Sequence, residues 1–339
     1  MKHTTDRATW SSPNPTAPVI ESRVPIFAPI LRVSHTSRPR TGRYETCWGW
    51  VELSGLVLTQ EHRAILLLAK TKNINFRVWN DGSMSLWFDA WEVKKALGQK
   101  YSGGEGHKRF LQKIEEMRKV KLTVHNAHTR KTRTSGILSE CQYSDTPKEG
   151  GVHKNREWML SYPNSSKNAK EKTKEQINAM LKGSCLTEIK ISANYMQFFK
   201  EDLRVHFDPL VPDIVAIQDG RIRAIILFFL THKKDCSYSI RRVMEIIGAI
   251  EEGMTKGTVS KIMAKPEKFK AELGKFGIFV EGKMLRYVRH PKVFFTNPPP
   301  LPASTGAMID AEQGPEPTSI GTALEATPEA TVSPESPVN

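Results

Sequence analysis

Cysteine is scarce in this sequence. Cys47, Cys141, Cys185 and Cys236 are widely separated among 339 residues and form no CxxC pair. That spacing suits reduced thiols better than a disulfide framework or a structural zinc site. No stretch approaches 18 apolar residues; the densest, Ile222–Leu230, is interrupted by Arg223 and is too short to span a bilayer. The opening Met-Lys-His-Thr-Thr-Asp leads into polar, Pro-rich sequence without an apolar h-region, so a cytoplasmic protein without membrane contact is expected. Signatures of catalysis are also missing. There is no GxxxxGK[ST] phosphate loop for ATP-driven chemistry, and no His-x-His for a metal-dependent nicking enzyme. The acid pairs Glu115-Glu116, Glu201-Asp202 and Glu251-Glu252 lie in solvated-looking helices without a partner motif. His125 with His128, and His232 with Cys236, lack a second pair at zinc spacing and read as loop or core residues. The apolar stripes Ile65–Leu68 and Ile225–Leu230 read as core. The expectation is a non-enzyme with no catalytic residue, metal or cofactor.

What the sequence has is positive charge, unevenly spread. Fifty Lys and Arg face 36 Asp and Glu, a formal net charge of +14. From Thr296 onward there are six acids and no base, so residues 1–295 carry about +20, the electrostatic footprint of a polyanion binder. The length allows two ordinary domains, each with its own core.

Placement sharpens that reading. Ser237–Pro291 reads as helix, turn, basic helix and hairpin. An apolar-periodic run through Ile240, Val243, Met244, Ile246 and Ile247 stops at Gly248. A second helix is predicted from about Thr258 to Leu273, with Lys261, Lys265, Lys268 and Lys270 among its apolar positions. Gly277–Arg289 then folds back at Glu281-Gly282-Lys283 as a basic β-hairpin, a wing. The same order is predicted earlier. Thr59 caps a helix through Ala69, Asn80-Asp-Gly82 turns a hairpin, and Trp91–Leu97 forms a short helix closed by Gly98. Ser102-Gly-Gly-Glu105 has capping-box spacing and opens a helix with Phe110, Leu111, Ile114 and Met117 inward. Lys121–Val124 and Gly136–Ser139 are read as two strands flanking a basic loop. Residues 102–134 hold nine Lys/Arg against three acids, and residues 256–292 hold ten against three. A solvated face ordinarily mixes signs, so the same bias at the same place twice favours DNA binding.

The expected fold class is α+β, with tandem winged-helix domains (helix-turn-helix plus β-hairpin wing). Residues 1–42 form a mostly disordered N-terminal arm whose apolar patch Val24–Leu31 can pack onto the body. The first domain covers 43–203 with a polar insertion at about 145–184, the second covers 204–294, and 295–339 is a disordered Pro-rich acidic tail. The DNA-binding residues expected in the first domain are Lys108, Arg109, Lys113, Arg118, Lys119, Arg130, Lys131 and Arg133. Those in the second are Lys256, Ser260, Lys261, Lys265, Lys268, Arg286 and Arg289. Most would neutralise phosphates and a few would read base edges.

Five segments carry a family resemblance: Leu58-Thr-Gln-Glu-His-Arg-Ala-Ile-Leu-Leu, Phe110-Leu-Gln-Lys-Ile-Glu-Glu-Met-Arg-Lys-Val, Gly136-Ile-Leu-Ser-Glu-Cys-Gln-Tyr143, Arg221-Ile-Arg-Ala-Ile-Ile-Leu-Phe-Phe-Leu and Ser239–Gly248. In element order and scattered positions over about residues 43–294, the chain resembles the iteron-binding plasmid replication initiators with two winged-helix domains (RepC/TrfA-like, of the IncQ and IncP types). The resemblance implies binding to repeated origin sites in double-stranded DNA, opening of an adjacent A·T-rich region, and recruitment of host helicase and DnaA. It also implies a homodimer as the replication-inactive form. By position it assigns the first basic helix to Lys108, Arg109, Lys113 and Arg118, and the second to Lys256, Ser260, Lys261 and Lys265. The 145–184 insertion and the acidic tail depart from the compact members. The alternative readings are a winged-helix transcriptional regulator or autorepressor and, less favoured, a rolling-circle nicking enzyme.

Overall fold

The computed structural model describes residues 16–31, 42–46, 48–143, 186–201, 203–251 and 253–297. The expected insertion and nearly all of the expected tail lie outside the described residues. Those described belong to one compact unit, Met1–Pro299. A single apolar cluster runs through it from Ala17 to Val293.

The packed part of the N-terminal segment begins earlier than the expected patch. Strand β1 (Ala17–Pro18) and the short helix α1 (Ile20–Arg23) are buried together with Ile26 and Phe27. Strands β2 (Gly42–Thr46) and β3 (Gly49–Ser54) form an antiparallel pair. Helix α2 (Gln60–Thr71) starts where Thr59 predicts: its Oγ1 accepts from the Glu61 amide at 3.3 Å. The reciprocal half of the cap comes from His62, whose Nδ1 accepts from the Thr59 amide at 2.9 Å. Every residue from Gln60 to Lys70 is buried, charged ones included. Buried charges persist only when paired. Glu61 accepts from Lys100 at 2.5 Å, and Arg63 Nε donates to Glu21 of α1 at 2.9 Å. Tyr195 also donates to Glu21, so the N-terminal segment is fastened to the middle of the molecule by a buried polar network.

Strand β4 (Asn73–Val78) and strand β5 (Met84–Asp89) make the predicted Asp-Gly hairpin, and Asp89 caps helix α3 (Ala90–Leu97) by accepting from Trp91 N at 2.9 Å. Helix α4 (Gly103–Lys119) turns Phe110, Ile114 and Met117 inward as expected. Ser102 stands at its N-cap without a side-chain cap hydrogen bond, while Glu105 pairs with Lys108.

After α4 the chain forms two hairpins where the sequence reading has one. Strand β6 (Lys121–Asn126) pairs with β7 (Lys131–Ser135), not with Gly136–Ser139. Strand β8 (Leu138–Tyr143) instead pairs with β9 (Leu186–Ile191). Strand β7 is Lys-Thr-Arg-Thr-Ser, exposed and without an apolar face, so no hydrophobic alternation marks it. Gly136 links the hairpins where a Cβ would sit 2.3 Å from the Arg118 carbonyl oxygen.

Helix α5 (Ala193–Glu201) leads to β10 (Arg204–His206), then α6 (Val211–Ala216) and α7 (Gly220–Phe229). Asp219 caps α7 by accepting from Arg221 N at 2.9 Å and Ile222 N at 3.3 Å. Strand β11 (Cys236–Ser239) and helix α8 (Ile240–Ile246) follow, the helix capped by Ser239 and ended at Gly248 with φ 70°. The single helix predicted to reach Leu273 is three: α9 (Lys256–Met263), α10 (Lys265–Lys268) and α11 (Lys270–Gly274). Pro266 explains the first break, at Ala264, because without an amide hydrogen it cannot bond back to the Ile262 carbonyl and continue α9. Strands β12 (Ile278–Glu281) and β13 (Met284–Tyr287) form the predicted hairpin about Gly282. Strand β14 (Phe294–Thr296) continues past the expected start of the tail and pairs with β10, which pairs in turn with β1.

A mixed α/β chain results, with one arrangement appearing twice. A buried helix (α2 or α7) is followed by a strand (β5 or β11), a pair or group of helices (α3–α4 or α8–α11) and a hairpin (β8–β9 or β12–β13). In both cases the strand after the first helix pairs with the second arm of the hairpin, giving the orders β5-β9-β8 and β11-β13-β12. In the earlier copy β4 extends the sheet, and β6–β7 join β2–β3 in a separate sheet of order β2-β3-β6-β7.

Candidate nucleic-acid interface

The cations of the first basic helix are mostly engaged. Five bases on α4 face three glutamates, and local ion pairs use nearly all of them. Lys108 pairs with Glu105 at 2.9 Å, Lys113 with Glu116 at 2.7 Å, and Arg118 with Glu115 at 2.7 Å, with Lys119 at 3.6 Å from the same carboxylate. Arg109 donates to the Lys100 carbonyl at 2.9 Å. One of these pairs reaches the core. Glu116 also receives His62 Nε2 at 2.7 Å. Because His62 Nδ1 accepts from Thr59, a neutral imidazole protonated on Nε2 satisfies both bonds. Burial pushes the His62 pKa down, and burial alone would raise that of Glu116, but hydrogen bonds from His62 and Lys113 hold it at about 2.

The β6–β7 hairpin is different. Arg130, Lys131 and Arg133 are exposed, and among the described residues none has a carboxylate within 4.0 Å. Arg130 occupies the left-handed region at φ 52°, which places the tight turn directly before two further cations. On the same hairpin, His125 stacks on Trp50 at 5.4 Å and bonds Thr132 at 2.9 Å. The contacts of His125 are thus aromatic and hydroxyl. His232 meets Tyr238 Oη at 3.2 Å and lies edge-on to Phe228.

In the later copy, α9 has an acid-free sequence from Lys256 to Met263. Thr255 caps it by accepting from Thr258 N at 3.3 Å. Val259, Ile262 and Met263 turn toward the body, leaving Lys256, Gly257, Ser260, Lys261 and Ala264 exposed along the opposite side. Lys256 and Lys261 have no carboxylate partner among the described residues, and the small side chains between them let a neighbouring surface approach the helix closely. The positive end of the helix dipole adds to the attraction for an anion at its N-terminus. Of the other expected residues, Lys268 is exposed and has no ion pair among the described residues, but Lys265 reaches back to Asp219 at 3.0 Å. Arg286 pairs with Glu281 at 2.6 Å and lies over Phe279, while Arg289 donates to the Val293 carbonyl at 3.1 Å. Lys283, at the hairpin tip, is exposed and unpaired among the described residues; its turn position in a basic hairpin was the available signal.

Ion pairing thus separates the expected residues into two groups. Arg130, Lys131, Arg133, Lys256, Lys261 and Lys268 present charge outward, while the α4 cations, Lys265, Arg286 and Arg289 have carboxylate or carbonyl partners. Among the described residues there is no cluster of three or more metal-ligating side chains, and no helix is long and apolar enough to cross a membrane.

No protein family matches this sequence, and no curated protein does. Two solved structures are similar to it. The crystal structure of domain 2 and domain 3 of RctB, in selenomethionine form, has a TM-score of 0.44 at 9% identity and covers 83% of this chain and 99% of that chain. A second crystal structure of RctB domains 2-3 has a TM-score of 0.39 at 8% identity and covers 76% and 92%.

Proposed function

We propose that this protein is a non-enzymatic, sequence-specific binder of double-stranded DNA, built from two winged-helix units, that initiates replication at an origin. The observation that carries the DNA-binding part is the exposed, acid-free stripe of α9, followed in the chain by a hairpin tipped by Lys283. The repeated order of helix, strand, helices and hairpin supports a winged-helix reading of both copies, because in that arrangement the second helix of the helix-turn-helix, α4 or α9, lies in a major groove and the hairpin reaches the phosphates or an adjacent groove. In the first copy the wing is β8–β9, and β6–β7 adds a further basic hairpin. Unpaired cations suit phosphates, where each neutralised charge releases counterions and makes affinity salt-dependent. A few side chains on α9, Ser260 and Lys261 foremost, would touch base edges.

Two units reading successive grooves on one face of the duplex require a site of roughly 20 base pairs, two turns of about 10 each. The initiator role rests on the sequence resemblance. It includes binding to repeated origin sites, opening of A·T-rich DNA, contact with host helicase and DnaA, and an inactive homodimer. A transcriptional regulator with the same units is the second reading. Selection of bound sites from random duplex DNA tests the proposal. A motif of about two turns supports paired reading, and its occurrence as direct repeats beside an A·T-rich tract supports initiation over regulation. Enrichment of no motif would reduce the protein to a charge-driven polyanion binder.

A further inference from the structure

An open groove of about 490 Å³ lies beside the free edge of the β2-β3-β6-β7 sheet, where β7 passes β8 and β9. Arg133 and Ser135 of β7, Ser139 of β8, Lys190 of β9 and Asn194 at the start of α5 line it. We propose that this groove is an anion site that seats a phosphodiester of the bound nucleic acid. The proposal rests on the DNA-binding reading above and adds to it a contact outside both reading helices.

Unused donors converge there. Asn194 is 4% exposed, and its Nδ2 has no hydrogen-bond partner among the described residues. A buried amide left unbonded is unfavourable by about 1–3 kcal/mol, so a side-chain rotation that pairs it with an acceptor in the groove is favoured. Ser192 is already occupied: its Oγ donates to the Gly136 carbonyl at 2.7 Å and accepts from Tyr195 N at 3.2 Å. The amides of Ala193 and Asn194 precede the first intrahelical bond of α5, Met196 N to the Ser192 carbonyl, and have no acceptor among the described residues, like first-turn amides in anion sites at helix N-termini. Arg133 adds a guanidinium with no carboxylate within 4.0 Å among the described residues.

Two acids also line the groove, and both already have donors. Asp81 accepts from Ser83 N at 2.8 Å and from Ser83 Oγ at 2.5 Å. Burial would raise its pKa, yet those bonds, with Lys190 and Lys200 nearby, hold it below the usual range. Glu140 lies 3.5 Å from Lys190 Nζ, which also sits 5.3 Å from the Trp79 ring centroid. The lining is formally neutral, Arg133 and Lys190 against Asp81 and Glu140, with Lys200 near Asp81 as a further cation; what remains unmatched is hydrogen-bond donors, the Arg133 guanidinium among them. A phosphodiester offers acceptor oxygens and one negative charge, and the volume admits a group of nucleotide size.

The full-length chain, labelled with ¹⁵N at asparagine, tests this by following the Asn194 side-chain amide resonance. Saturation with a duplex of about 20 base pairs should shift it. The variant Arg133→Gln should lose that shift and lower the salt slope of duplex binding by about one. Lys268→Gln, outside the groove, should lower the slope while leaving the Asn194 shift intact. A duplex that binds with Asn194 unmoved overturns the groove and leaves the DNA-binding reading standing. Inorganic phosphate shifting Asn194 while bound duplex does not also overturns it, as a free-anion pocket. Failure of any duplex to bind removes both.

Discussion

Lys256 and Lys261 stand on the exposed side of α9 with no carboxylate partner among the described residues, whereas Lys113 and Arg118 on α4 are each 2.7 Å from a glutamate. Replacing both members of each set by glutamine should therefore have unequal effects. Each phosphate contact contributes about 0.9 to the slope of log affinity against log salt, equivalent to about 1 kcal/mol at 0.15 M salt. Lys256→Gln/Lys261→Gln should accordingly flatten the slope by about 1.8 and weaken binding by about 2 kcal/mol, roughly 30-fold in Kd. Lys113→Gln/Arg118→Gln should change the slope by less than about 0.5 and Kd by less than about threefold, because those cations already neutralise carboxylates. The α9 side chains are exposed, so their loss should leave stability within about 0.5 kcal/mol of the parent. Fluorescence anisotropy with a fixed duplex over 50–300 mM salt gives both slopes. Equal losses from the two pairs would refute the inference that ion pairing separates binding from structural cations.

Other expectations concern the scaffold that holds these elements. Glu21→Ala removes the carboxylate that accepts from Arg63 and Tyr195 and lies 4.0 Å from Lys70, leaving two buried cations uncompensated. A loss of about 3–5 kcal/mol in urea unfolding is expected, and a loss below 1 kcal/mol would mean that the N-terminal segment is not fastened as described. Thr59→Ala deletes the cap of α2 and should lower stability by about 1 kcal/mol in the same measurement. His62, His206 and His232 all have pKa values lowered by burial. The unfolded chain takes up protons near pH 6.5 while the folded one does not. Stability should be greatest above that pH and decline as pH falls below it, with His62→Gln making the decline shallower; an unchanged profile in the variant would contradict the neutral assignment.

Much of this scaffold was legible because its signals are local. Thr59, Gly248 and the Asp-Gly turn at 81–82 act within four residues, and each marks an element boundary found in the structure. The course of β7 was not, because a strand made only of Lys, Thr, Arg and Ser has no hydrophobic period. The break at Pro266 was readable in principle, but the apolar spacing of Phe269 and Leu273 continued the helical pattern across it. The full burial of α2 depends on residues 16–31 wrapping over it, a contact across more than forty positions in the case of Glu21 and Arg63. The candidate interface was visible as charge but not as free charge. Composition alone could not tell that α4 spends its cations on its own glutamates, or that Asn194 and Arg133 line one groove.

Hydrogen exchange of the full chain with and without saturating duplex DNA tests the central claim most directly. The account predicts slower exchange in the β6–β7 turn at 127–133, along 256–264 and around the hairpin tip at 281–285, with smaller changes along α4. Protection confined to other surfaces, or duplex binding that leaves all three segments unchanged, would contradict it.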